Sequence, residues 1–374
     1  MKNQSNEAIE IIPWGNDFVF ALMAKLGRGN PILIGFIYFI VEFVILYIIG
    51  HITGQLYGKN GLAPMYKSTL ENINMGFIAP VGAALLSNLY FTVNKTFKSL
   101  QSENLIPTYQ IPQYESFKRK LNRLYSSVHL VIIALIIAFM INSFNYFAKP
   151  DSWLGINGGI TGIYGRLFTG INYFILILLL YKCAITFWAL HAIFRFEILI
   201  RPFHPDRSGG LKMIGRLGVS LNYFVALVLI YFTLQFVFDS FAKQQTFYIL
   251  SFVLFYPFAI LIFFASLQGA HKKMVICKLD VFKKLGNTFD FYYIKLNQAS
   301  NQKIYEINTA DEISRIHSLY QIAEKMPVWP FDKESIKRAF SALAIPALVF
   351  IYDLITNTDS VLYNLNKAKD MFRF

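Results

Sequence analysis

The chain has 374 residues, 55% of them hydrophobic and only 15% charged, with a mean hydropathy of +0.44 and a formal net charge of +13. Soluble domains carry about a quarter charged residues, so this composition excludes a disordered chain, a soluble nucleic-acid-binding domain and a disulfide-stapled secreted module. Two cysteines, Cys183 and Cys277, are too few for a disulfide framework or a cysteine-rich metal site. An all-α polytopic membrane protein remains.

Residues 1–30 lack the ordered basic region, apolar core and small-residue cleavage site of a signal peptide. They read as an amphipathic interfacial segment in which Ile11, Trp14, Phe18, Leu22 and Leu26 form an apolar stripe that Gly27 and Gly29 end. An ordered soluble tail is the alternative. A membrane-crossing helix needs about 20 mostly apolar residues. Six segments qualify: 31–50, 75–93, 126–147, 171–194, 221–238 and 247–267. A shorter seventh runs over 339–354 and contains Pro346. The segments are too long and too continuously apolar for barrel strands. The predicted organisation is an interfacial segment (1–30), a transmembrane domain of six helices (31–267), a small helical cytoplasmic layer (268–338), and the seventh segment with a tail (339–374).

Lys and Arg orient these spans. The regions before span one and after spans two, four and six hold 26 of them, against 5 in the alternate loops, and 14 against 5 without the long last region. The positive-inside rule then puts the amino terminus in the cytoplasm. Orientation and contact with anionic lipid account for this basic face; an anionic cytoplasmic ligand is the sharper alternative.

Between the spans, the short stretch Asp239 to Gln244 predicts an antiparallel pairing of spans five and six. The outer loop with Gly155, Gly158, Gly159, Gly162 and Gly165 reads as a close-packed cap, a short re-entrant segment or a flexible loop; it lacks the lysine of a phosphate loop. In the cytoplasmic region, Thr309 and Glu312 form a capping box ahead of Ile313, Ile316, Leu319, Tyr320 and Ala323 at helical spacing.

No catalytic constellation is present. The six histidines are scattered without metal-ligand spacing, so neither an enzyme, a cofactor nor a metal is predicted. Ionisable residues within spans point to function, because charge in hydrocarbon is costly. They are Glu42, Lys182 and Asp353. Lys182 either pairs with Glu42 or Asp353, or lines a water-filled pathway where a ring of lysines in a cyclic oligomer favours anions.

Two stretches stand apart as candidate ligand-binding elements. One is the loop Arg201 to Leu211, with Arg201, Phe203, His204, Asp206 and Arg207 as candidate contacts. Its prolines stiffen the residues before them, its glycines permit close approach, and its arginines are rigid anion forks. The other is Met326 to Asp332, with Trp329 and Phe331 as candidate stacking surfaces and Asp332 or Ser335 as a helix cap. A structured turn without a ligand is the plainer reading of the first.

The His204-Pro205-Asp206-Arg207-Ser208-Gly209-Gly210-Leu211 run resembles a signature of a broad group of bacterial multi-pass proteins. There too it is followed by two spans, a basic helical region and a Pro-Phe stretch before a last apolar segment; here that order covers Arg195 to Leu354. In size, span layout and basic cytoplasmic face, the chain is also similar to the transmembrane effectors of the Hailong two-gene anti-phage system. The resemblance implies a bacterial inner-membrane homo-oligomer acting as a ligand-gated ion channel. It further implies restraint by a single-stranded DNA oligomer made by a nucleotidyltransferase encoded nearby. A secondary transporter, a structural or assembly protein without a pore, and a membrane enzyme are the competing classes.

Overall fold

The computed structural model describes residues 17–58, 62, 64–148, 152–154, 156–202, 204–206, 208–238, 246–298, 303–331 and 333–356. Among the described residues the chain is all helix and connecting turns. Among them, seven helices are long and apolar enough to cross a membrane, so the protein is an all-α polytopic membrane protein. Predicted features on Ile11, Trp14, Lys59, Lys149, Gly155, Phe203, Arg207, Asp332, the 239–244 connection and the basic tail lie outside the described residues.

Helix α1 (Phe18–Gly27) opens at Asp17, whose carboxylate accepts from the Phe20 amide at 3.1 Å. Val19, Phe20 and Met23 turn inward, while Phe18, Leu22 and Leu26 are exposed as an apolar stripe suited to lipid. Arg28 and Gly29 take positive φ and end the helix. Asn30 then caps α2 (Pro31–Thr53), which starts on a proline already fixed near helical φ.

Helix α2 and its neighbour α3 (Thr69–Ser102) each contain a π turn, at Ile40–Val44 and Asn74–Ile78, and these two turns pack against each other. The amphipathic helix α4 (Ile111–Tyr125) precedes α5 (Val128–Ala148). Then follow α6 (Gly159–Ile193), α7 (Lys212–Phe238), α8 (Thr246–Gln298), α9 (Lys303–Glu324) and α10 (Lys333–Thr356).

Helices α3, α6 and α7 form the core. Their most apolar stretches are 50%, 50% and 56% buried, against 22% for α2, 17% for the span containing α5, 28% for α8 and 22% for α10. The outer helices therefore present most of their apolar surface to lipid or to a second copy.

The seventh segment departs from the expected short form. α10 continues through Pro346 and runs parallel to α7 over most of its length. Successive contacts fix that course: Gly215 lies under the Pro330 carbonyl, Asn222 donates to the Ala339 carbonyl at 3.0 Å, Leu229 packs with Leu343, and Phe236 meets Phe350 at 5.0 Å.

Two predicted boundaries, at 267 and 338, fall inside continuous helices. Span six and the start of the cytoplasmic region are one 53-residue helix, because nothing near Gln268 or Gly269 breaks it. Gly269 instead admits the Phe194 ring, which a Cβ would meet at 2.5 Å. Helix α9 folds back along α8, with Phe282 and Tyr320 rings 4.8 Å apart and Lys278 donating to the Glu324 and Met326 carbonyls. α7 and α8 pack antiparallel, Gly218 facing Leu267 at one end and Leu229 lying near Tyr256 further along.

The glycine-rich loop is a close-packed cap. Trp153 is buried, donates its indole N–H to Ser68 at 3.0 Å, and leaves no room for a Cβ on Gly158 or Gly165. Thr53 and Thr161 hydroxyls, 2.7 Å apart, tie the end of α2 to the first turn of α6.

Candidate functional site

Lys182 is 1% exposed, and its ammonium turns into the protomer's own core. It donates to Asp17 Oδ2 at 2.8 Å and to the Tyr125 carbonyl, with the Tyr90, Tyr125 and Tyr181 rings 5.1 to 5.6 Å away. Tyr90 donates its hydroxyl to the same Asp17 oxygen at 2.7 Å. The expected partners, Glu42 or Asp353, are therefore replaced by Asp17.

Geometry explains the substitution. Tyr125 ends α4, just before α5 begins, so Lys182 is level with the entry to span three rather than at mid-membrane. α6 has 35 residues, about 50 Å at 1.5 Å per residue, which exceeds the bilayer core by roughly 20 Å. Glu42 pairs with Asn172, ten residues and about 15 Å along α6. Asp353 is buried on α10 just past Phe350, which packs on Phe236 near the far end of α7.

Glu42 sits in the π turn of α2 and is fully buried. Tyr38 donates to Asn172 Oδ1 at 2.6 Å, and Asn172 donates through Nδ2 to Glu42 Oε1 at 2.5 Å. The Tyr38 bond thus fixes which way the Asn172 amide points. Glu42 Oε2 has no hydrogen-bond partner. Tyr164 on α6 donates to the Val41 carbonyl of the same turn and closes the pocket with Phe168, 4.9 Å away.

At the end of the bundle where α3 finishes and α7 and α10 begin, a groove of about 510 Å³ opens between those three helices. Its mouth carries Lys95, Arg216 and Arg338, all exposed, with Glu334 the one carboxylate among the described lining residues. Phe91, Val219 and Tyr223 supply the apolar part of its lining, beside Asn88 and Ser220. Arg338 approaches Glu334 only at 3.9 Å, so the mouth retains an excess of positive charge.

The conspicuous loop lies at the same end. Asp206 Oδ1 accepts from the Ser208 and Gly210 amides at 2.8 and 3.1 Å, and Oδ2 from the Lys212 amide at 3.2 Å, which also caps α7. Burial alone would raise this carboxyl. Those amides, together with His204 Nδ1 at 2.8 Å, outweigh burial and hold it below the ordinary carboxylate range. Gly209 and Gly210 have φ of +67° and +91°, and a Cβ on Gly210 would meet Leu105 at 2.8 Å. Asp206 is thus spent on its own loop. Arg201 is exposed, and its amide donates to the Gly209 carbonyl at 3.2 Å.

Trp329 and Phe331, expected as stacking surfaces for a ligand, stack within the protomer. Trp329 lies 4.1 Å from the His271 ring and 5.5 Å from Phe331, which in turn meets Phe263 at 5.8 Å. His271 donates through Nδ1 to the Val328 carbonyl at 2.8 Å. These contacts wedge the 326–331 segment between α8 and α7.

Sequence reasoning missed Asp17 and the Lys95, Arg216 and Arg338 groove. Asp17 carried one signal, a lone carboxylate inside an apolar stretch. The groove carried none beyond charge, since its cations come from three distant helices. No family model, curated protein or solved structure matches the chain.

Proposed function

We propose that the protein is an oligomeric, channel-like effector of a bacterial inner membrane, with its amino terminus and the basic end of the bundle in the cytoplasm. A polyanion, an oligonucleotide in the reading that the Hailong resemblance suggests, controls it there. The observation that carries this reading is the groove with Lys95, Arg216 and Arg338 at its mouth. Three cations around one opening suit a run of phosphates, each held by charge. The groove joins α3, α7 and α10, so a ligand that favours one spacing of these helices biases their packing. Because Trp329 and Phe331 are engaged by His271 and Phe263, this reading rests on phosphate contacts and gives those rings no part in stacking bases.

The test titrates a short labelled single-stranded DNA against purified protein in neutral-lipid nanodiscs, alongside ion flux in liposomes. Binding should weaken steeply with salt, and the triple variant Lys95→Gln, Arg216→Gln, Arg338→Gln should bind about tenfold more weakly or worse. DNA should also change the flux. Binding that is absent at low salt, or unchanged in the triple variant, refutes the proposal.

A secondary transporter is the second reading, and Glu42 favours it. A buried carboxyl at a break in helical geometry is a feature of coupling-ion sites. Uptake driven by an imposed proton or sodium gradient, with no conductive ion leak, would select it over a channel.

A further inference from the structure

Glu42 lies within α2 at membrane depth, fully buried, and no basic side chain pairs with it among the described residues. An ionised carboxylate there would lose its hydration and gain one hydrogen bond in return, an arrangement that proteins avoid. A neutral carboxyl is different: one oxygen accepts and the other carries a proton. The observed bonding offers the charged form a single donor. Asn172 donates to Oε1, and Oε2 has no hydrogen-bond partner, so nothing beyond that one amide stabilises a charge on the carboxylate.

The groups around it make no countercharge. The titratable side chains facing Glu42 are Tyr38 on its own helix and Tyr164 on α6, both of which donate their protons to other acceptors. From α3 the facing turn is Asn74–Ile78, whose residues Asn, Met, Gly, Phe and Ile do not titrate. That turn also holds a buried oxygen without a partner, Asn74 Oδ1. Two π turns in contact, each with an unpartnered buried oxygen, form a joint whose polar groups are incompletely satisfied in this packing.

We propose that Glu42 is an intramembrane proton-binding site, protonated in this conformation, whose deprotonation rearranges the paired π turns of α2 and α3. The O–H bond at Oε2 breaks, the proton passes to water, and the carboxylate then recruits donors that the present packing does not supply. The inference is independent of any ligand at the basic end.

Infrared spectroscopy of the full-length protein in nanodiscs tests it. At neutral pH the wild type should show a carboxylic-acid carbonyl band that shifts in deuterated water and is lost in Glu42→Gln. Asp353→Asn should keep that band. Asn172→Leu, which removes the donor to Oε1, should move it to higher frequency, and this serves if Glu42→Gln does not fold. A band that is absent, or that persists in Glu42→Gln, overturns the proposal. A carboxylate signal at Glu42 that changes between sodium and potassium overturns it in favour of a bound cation.

Discussion

Lys182 and Asp17 are 165 residues apart in sequence and 2.8 Å apart in the structure, each all but sealed from solvent. The pair joins the N-cap of helix α1 to the core helix α6. It also brings in Tyr90 from α3 and the Tyr125 carbonyl from α4, so four helices meet at one ammonium.

Removing one half of this pair should be far worse than removing both. Lys182→Met leaves Asp17 buried and uncompensated, and should destabilise by about 3–5 kcal/mol. Lys182→Met with Asp17→Asn should recover much of that, since Asn keeps the α1 cap. Thermal unfolding in detergent reads both. Any flux the protein supports should keep its ion selectivity in the double variant, because the ammonium faces inward. A changed selectivity would restore the lysine-ring reading.

Gly215→Ala should unseat the aromatic wedge. A Cβ at this position would lie 1.8 Å from the Pro330 carbonyl, and backbone cannot yield as a flexible side chain does. Overpacking of this kind costs roughly 1–3 kcal/mol. Trp329 should lose its stack on His271, which tryptophan fluorescence detects as a shift to longer wavelength. An unchanged spectrum would mean that α7 and the wedge separate without cost.

The Asp206 loop should resist acid longer than an ordinary carboxylate would. Its carboxyl is held low when folded, so its contribution is complete above the unfolded value of about 3.9 and lost as pH falls through the lower folded value. Hydrogen exchange at the Ser208 and Gly210 amides should therefore stay slow, relative to the intrinsic rate, until strongly acidic pH. In Asp206→Asn the same amides should exchange faster at neutral pH, with no acid transition. Equal protection in both proteins would show that the amides hold without the carboxylate.

The proposed cytoplasmic amino terminus, with all seven candidate spans crossing, would put the carboxyl terminus on the opposite side. With Cys183 and Cys277 replaced, cysteines at Lys98, Asn157 and Asp370 report the topology in intact cells. An impermeant reagent from the periplasm should label positions 157 and 370 and spare 98. Labelling at 98 would invert the assignment, and protection at 370 would return α10 to a re-entrant role.

The spans were legible because each is a long apolar run, and a buried helix needs no more than that to announce itself. Partners across the bundle were not. Lys182 was conspicuous as a lone charge, yet hydropathy gives no depth along a helix that overshoots the bilayer, so mid-span carboxylates stood out as its partners while Asp17 did not. Pro346 suggested a broken seventh segment, but flanking contacts from Ala339 to Phe350 hold α10 against α7 on both sides of it. Trp329 and Phe331 read as free aromatics because His271 and Phe263, their stacking partners, lie some 60 residues earlier in the sequence. The two π turns had no sequence signature.

Helix α8 has 53 residues, about 80 Å at 1.5 Å per residue, of which the bilayer core takes roughly 30 Å. Beyond Pro257, which cannot donate to the helix ladder, the rest of the membrane part and the protruding part are one continuous helix, so they move as a crankshaft does. Torque applied to the α8–α9 hairpin arrives at Leu267 and Phe263, against α7, without passing through a flexible linker. Any partner that grips the exposed Phe291, Tyr293 and Ile294 near the end of that shaft holds it at its greatest mechanical advantage.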